Sequence, residues 1–174
     1  MRKSRSSYII KAFLMVISYT DRHLMKHIYL QKGDHMYKKI LLAVDGSENS
    51  LRATEEAAKL AKTESDSIVD ILYVNVPPKT AREILLEPSK EEQDKARQAR
   101  ISPVEKILND AGVKNKVSIV TGEASPTIIQ HAKTTEAEII VIGSRGLNAV
   151  QKFVLGGVSN EVVQKATMPV LLVK

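Results

Sequence analysis

Glu138-Ile139-Ile140-Val141-Ile142 runs directly into Gly143-Ser144-Arg145-Gly146, and nine residues further on the chain reads Gly156-Gly157-Val158-Ser159. The first five residues have the pattern of a strand buried on both faces. From about Ala149 the pattern is helical, with Val150, Phe153, Val154, Val158, Val162, Val163 and Ala166 on one side. A glycine-rich turn between such a strand and a helix exposes backbone N–H groups at the positive end of the helix dipole, and that arrangement binds anions, phosphates above all. The plainer role of the same glycines is a tight turn, a helix cap and close helix packing.

Upstream of this stretch the alternation of strand and helix repeats. Ile40-Leu41-Leu42-Ala43-Val44 is a continuous apolar run that ends at Asp45-Gly46-Ser47, a turn with capping residues. Leu51, Ala53, Ala57, Ala58, Leu60 and Ala61 then mark a helix, and a strand follows over 68–76. Pro77-Pro88 bounds a variable connection. A charged helix runs from about Ser89 to Ala111, where Gly112 ends it. Its first half, Lys90 to Arg100, reads as a solvated face, and Pro103 predicts a kink or a second start. A strand over 117–120 precedes a helix with Ser125 as N-cap and Pro126 at the first helical position. Pro169 to Val173 is the last strand. Alternation of this kind implies an α/β domain with a parallel sheet and right-handed crossovers. Ligands of such sheets sit beyond the C-terminal strand ends where the winding reverses, here between Asp45 and Gly143.

These residues resemble the universal stress protein family over essentially all of 36–174. The likeness rests on Lys39-Ile40-Leu41-Leu42-Ala43-Val44-Asp45-Gly46-Ser47, on Gly122-Glu123-Ala124-Ser125, on Ile140-Val141-Ile142-Gly143-Ser144-Arg145-Gly146 and on Pro169-Val170-Leu171-Leu172-Val173. Gly143, Gly146 and Gly156 match the G-x2-G-x9-G-[ST] pattern of the nucleotide-binding branch. The resemblance implies a single doubly wound, Rossmann-like, five-stranded parallel sheet of order 3-2-1-4-5. It also implies a cytoplasmic homodimer that pairs through Pro169 to Val173 and binds ATP, with Mg²⁺ on the phosphates. Adenine would lie at Ala43, Asp45 and Val74. Phosphates would lie at Gly143, Arg145, Gly146, Gly156, Gly157, Val158 and Ser159. The chain departs from the pattern at one place: Gly157 occupies the [ST] position, so a phosphate-binding hydroxyl is missing, while Ser159 brings one two residues later. A lost hydrogen bond to a charged group costs about 1.5–3 kcal/mol, roughly ten- to a hundredfold in affinity.

Residues 1–35 differ from the rest. They hold seven Lys/Arg against two Asp/Glu, whereas 36–174 hold nineteen against eighteen. The net charge of +6 therefore resides almost wholly in the first segment, and the domain gives no electrostatic case for nucleic acid. Arg2, Lys3 and Arg5 precede an apolar stretch from Tyr8 to Tyr19, but Lys11 interrupts it and no small-x-small cleavage site follows. The run is far shorter than the ~20 residues that span a bilayer. Lys32-Gly33-Asp34-His35-Met36 can be encoded by a purine-rich ribosome-binding sequence followed by a start codon, and Met36 opens a natural first strand. Residues 1–35 thus read as a non-native or disordered extension, with a membrane-contacting or targeting element as the alternative.

The chain has no cysteine, which excludes disulfides, thiolate metal ligands and a cysteine nucleophile. There is no G-x4-G-K-[ST] sequence, no serine–histidine–acid set and no paired-carboxylate site. His131 sits mid-helix and reads as a structural histidine rather than a ligand, and Ser47 and Ser50 read as caps. Catalytic and metal-ligating residues are therefore not assigned. The expectation is an ATP-binding regulator or switch of the stress response rather than an enzyme. The alternatives are a dimeric scaffold of the same fold without nucleotide, and a slow ATPase.

Overall fold

The computed structural model describes residues 14–17, 37–144 and 157–174. In chain order the elements are β1 Leu14–Ile17, β2 Lys39–Val44, α1 Glu48–Ala61, β3 Ile68–Asn75, α2 Ala81–Leu85, α3 Lys90–Asp110, β4 Lys114–Thr121, α4 Ala124–Thr134, β5 Ile139–Gly143, α5 Gly157–Lys165 and β6 Val170–Val173. The sheet order is β1-β6-β5-β2-β3-β4, and every pair is parallel. From β2 onward the five strands lie in the order 3-2-1-4-5, as the resemblance implies. β1 extends the sheet by pairing Leu14 with Val170 through Ile17 with Val173, on the backbone edge that the resemblance gives to a second copy of the chain.

Strand alternation sends the core to both faces. Ile40, Leu42, Val44, Val69 and Ile71 point toward α1 and α3, where Ala53, Ala57, Leu60, Val104 and Leu108 cover them. Leu41, Ala43, Leu72, Ile140 and Ile142 point the other way, under Ile128, Ile129 and Ala132 of α4 and Val162 of α5. The connections after β2 and β3 thus cross one face, and those after β4 and β5 cross the other. Winding reverses between β2 and β5, which opens a crevice at their C-terminal ends.

Four local expectations are corrected. Pro103 lies inside α3 without breaking it. Its ring removes one backbone donor, but Ile101, Val104 and Leu108 on both sides of it are buried against the sheet, and that packing holds the helix continuous. Ser125 is not an N-cap: α4 starts two residues earlier with Glu123 at the cap, and the buried Ser125 hydroxyl instead donates to Glu161 of α5. The fourth-edge strand is longer than 117–120 because its polar half, Lys114 to Lys116, pairs with 68–70 of β3. The connection after β3 contains the short helix α2, begun by a capping box between Thr80 and Glu83.

Candidate functional site

The crevice between β2 and β5 is an open cleft of about 630 Å³. Its floor is made by the strand ends Ala43, Val44, Leu72 and Ile142, and its walls include Asp45, Val74, Gly143, Arg100 and the first turn of α5. Of the residues expected at the site, Ala43, Asp45, Val74, Gly143, Gly157, Val158 and Ser159 converge here. Arg145, Gly146 and Gly156 lie outside the described residues.

Each wall has a local cause. Asp45 follows the last residue of β2, and its Oδ1 accepts from the Ser47 backbone N–H at 3.0 Å, closing an Asx turn. Gly46 has φ +82°, a conformation that L side chains rarely adopt. The helix cap itself is Ser47, whose Oγ accepts from Ser50 N–H at 3.3 Å. Among the described residues the Asp45 carboxylate therefore makes this one turn contact, and it stays exposed at the cleft.

Gly143 serves packing as well as the site. A Cβ there would fall 2.7 Å from the backbone carbonyl of Asn49, so glycine lets the start of α1 close onto the end of β5. Asn49 strengthens that contact by donating from Nδ2 to the Ser144 carbonyl, and Ser144 N–H donates to Val173 at 2.7 Å. At Gly157 the opposite holds: a Cβ would meet nothing within 4 Å among the described residues, so none of them demands glycine at the first residue of α5. The buried Ser159 lies one turn-position further in.

Two features were missed in the sequence. Arg100 was read as part of a solvated helix face, yet its Nη1 donates to the Tyr73 hydroxyl at 2.6 Å and it lines the cleft. No spacing rule links residue 100 to residue 73; only the docking of α3 across β3 does. The second is a polar cluster remote from the cleft, under α4. Asp70 of β3 is 5% exposed. Its Oδ2 lies 3.0 Å from His131 Nε2 and 3.1 Å from Lys116 Nζ, with Ser118 beside the same carboxylate, while Oδ1 is buried without a hydrogen-bond partner among the described residues. Burial pushes the Asp70 carboxyl up, but hydrogen bonds from Ser118, His131 and Lys116 and the Lys116 charge outweigh it and hold it below the ordinary aspartate value. His131 is thus a structural partner of a buried carboxylate. The available signal was Asp70 itself, one charge inside an otherwise apolar central strand.

The model of the universal stress protein family matches residues 36–174. The chain belongs to that family. The universal stress protein MJ0531 of Methanocaldococcus jannaschii is 32% identical over 152 residues, covering 83% of this chain and 86% of that protein. The universal stress protein YxiE of Bacillus subtilis is 34% identical over 154 residues, covering 80% and 100%. Among solved structures, the universal stress protein of Archaeoglobus fulgidus in complex with dAMP superposes with a TM-score of 0.60 at 25% identity, covering 80% of this chain and 100% of that one. Residues 1–35 lie outside the family match. Among the described residues no helix is long and apolar enough to cross a membrane, and no group of three or more His, Cys, Asp or Glu is placed to hold a metal ion.

Proposed function

We propose that this universal stress protein binds ATP in the β2–β5 cleft and acts as a cytoplasmic, nucleotide-dependent regulator of the stress response. The observation that carries the reading is the convergence of Ala43, Asp45 and Val74 from one side of the crevice with Gly143 and the Gly157–Ser159 turn from the other. Apolar strand ends suit a base, and the first N–H groups of α5 suit phosphate oxygens. The dAMP complex of the Archaeoglobus fulgidus relative supports an adenine nucleotide as the ligand class. Mg²⁺ would arrive on the phosphates. Asp45 is the one carboxylate among the described cleft-lining residues and so the candidate to face it.

Binding rather than turnover is the function assigned, because Asp45 anchors its own turn and no second group among the described residues is paired with it to activate water. Dimer formation through Pro169 to Val173 would use the backbone edge that β1 holds, so it belongs to a state in which β1 has left β6.

Calorimetric titration of the full chain with ATP and Mg²⁺ tests the reading, alongside Gly157→Ser. Among the described residues nothing stands in the way of a serine side chain at Gly157. The variant is expected to bind about ten- to a hundredfold more tightly by restoring a charge-assisted hydrogen bond. No heat and no thermal shift at millimolar ATP, for either protein, would leave the scaffold alternative standing instead.

A further inference from the structure

The geometry points to Arg100 as the residue that reads the charge of the ligand, its guanidinium engaging a phosphate group of the bound nucleotide. This rests on the nucleotide reading above and adds to it a wall of the cleft that no glycine pattern contains.

Three observations carry it. Arg100 is the one cation among the described residues that line the cleft. Its neighbours on the same helix are neutralised locally: Lys95 pairs with Glu91 and Arg97 with Asp94. Arg100 has no such carboxylate among the described residues; its partner is the neutral Tyr73 hydroxyl, at 2.6 Å. Tyr73 is itself 9% exposed, so it holds one arm of the guanidinium in place from a buried position. The stem of Arg100 is held as well. A Cβ on Gly46 would lie 2.5 Å from Arg100 Cγ and 2.8 Å from its Cβ, so the turn after β2 carries glycine where the arginine stem crosses it. A cation fixed at stem and tip, with no further partner among the described residues, costs little further entropy when it meets an anion. The planar fork of arginine suits phosphate oxygens in particular.

The position also complements the rest of the site. α3 covers one face of the sheet and α5 the other. Arg100 and the first turn of α5 therefore approach the crevice from opposite faces, and a ligand laid across the end of β2 meets positive potential on both sides.

The test compares adenosine, AMP and ATP on the full chain by calorimetry, for the wild type, Arg100→Met, Arg100→Lys and Tyr73→Phe. Arg100→Met is expected to weaken AMP and ATP by about ten- to a hundredfold while adenosine changes less than about twofold. Arg100→Lys should retain part of the loss-sensitive affinity, because it keeps the charge and the stem but not the fork. Tyr73→Phe should fall between wild type and Arg100→Met, again for the charged ligands alone. Equal losses for adenosine and AMP, or no loss for either, in variants that melt as the wild type does, would overturn the assignment and leave Arg100 a surface residue that satisfies a tyrosine hydroxyl. If Arg100→Met fails to fold, the same comparison of adenosine with AMP in Arg100→Lys decides. A wild-type chain that binds none of the three overturns the nucleotide reading, and this assignment with it.

Discussion

Under α1 and α3 the sheet buries Leu60, Ile71, Val104 and Leu108 with no charged side chain among them, whereas the face under α4 and α5 contains Asp70, the one buried charge among the described residues. The two faces share the same strands, so the difference comes from the helices and from β4. The first face receives two long helices, one of them an alanine-rich stripe of Ala53, Ala57 and Ala61 that brings its backbone close to the sheet. The second is covered by α4 and α5, and toward the N-terminal ends of β3 and β4 it holds Asp70, Lys116, Ser118 and His131. His131 and Lys116 engage Asp70 Oδ2, while the buried Oδ1 has no hydrogen-bond partner among the described residues. One face contains no buried charge, and the other contains a buried carboxylate tied by hydrogen bonds.

The largest effect expected from this contrast is on the apolar face. Leu108 is fully buried, and Leu108→Ala should cost about 2–5 kcal/mol in urea denaturation, from lost transfer energy and the cavity left behind. The cost should be the same at pH 7 and pH 5, because no carboxylate or histidine belongs to that cluster. A loss below about 1 kcal/mol would mean that the helices collapse readily onto the gap and that the first face is less tightly packed than its burial indicates.

Asp70→Ala comes next, at about 2 kcal/mol, since it strips the charged hydrogen-bond acceptor from His131, Lys116 and Ser118 at once. Its effect depends on pH with a definite sign. The folded carboxyl titrates below its ordinary value of 3.8. The stability that ionised Asp70 supplies is therefore complete above that value and is lost as pH falls through the lower, folded one. Acid denaturation of the wild type should thus be steeper than that of Asp70→Ala. Parallel acid limbs for the two proteins would remove the charged cluster from the account of the second face.

The same contrast explains what could be read from the sequence. The apolar runs 40–44 and 139–142, the Pro77 stop and the helix stripe at 51–61 gave strands, helices and their alternation, because burial on both faces of a parallel sheet leaves a continuous hydrophobic signature. The placing of Asp45 and Gly143 across one cleft followed from the winding reversal between β2 and β5, whereas Ala43, Val74 and Gly157 came with the family resemblance. What stayed hidden depends on which helix docks over which strand. Arg100 meets Tyr73, and His131 meets Asp70, across separations of 27 and 61 residues that no local pattern encodes. Pro103 misled for a related reason: local propensity signals a break, and only the tertiary burial of Ile101, Val104 and Leu108 overrides it. The edge strand β1 was hidden because four apolar residues in a basic segment carry no periodicity long enough to read.

The smallest expected effect sharpens the contrast most. Lys116 sits opposite Asp70 in the β3–β4 register, but its side chain is 51% exposed against 8% for Asp70. Solvent and salt screen the lysine end of this pair, so Lys116→Met should cost no more than about 1 kcal/mol, and the difference from wild type should vanish in ~1 M salt. His131, 16% exposed, is screened far less and should account for most of the Asp70→Ala loss. The two variants therefore separate two ways of holding a buried carboxylate. If Lys116→Met matches Asp70→Ala at low salt and recovers at high salt, the second face is pinned by a surface-reaching ion pair. If Lys116→Met stays small at every salt concentration, the face is pinned from within, by hydrogen bonds from α4 and β4 to a charge that water does not reach.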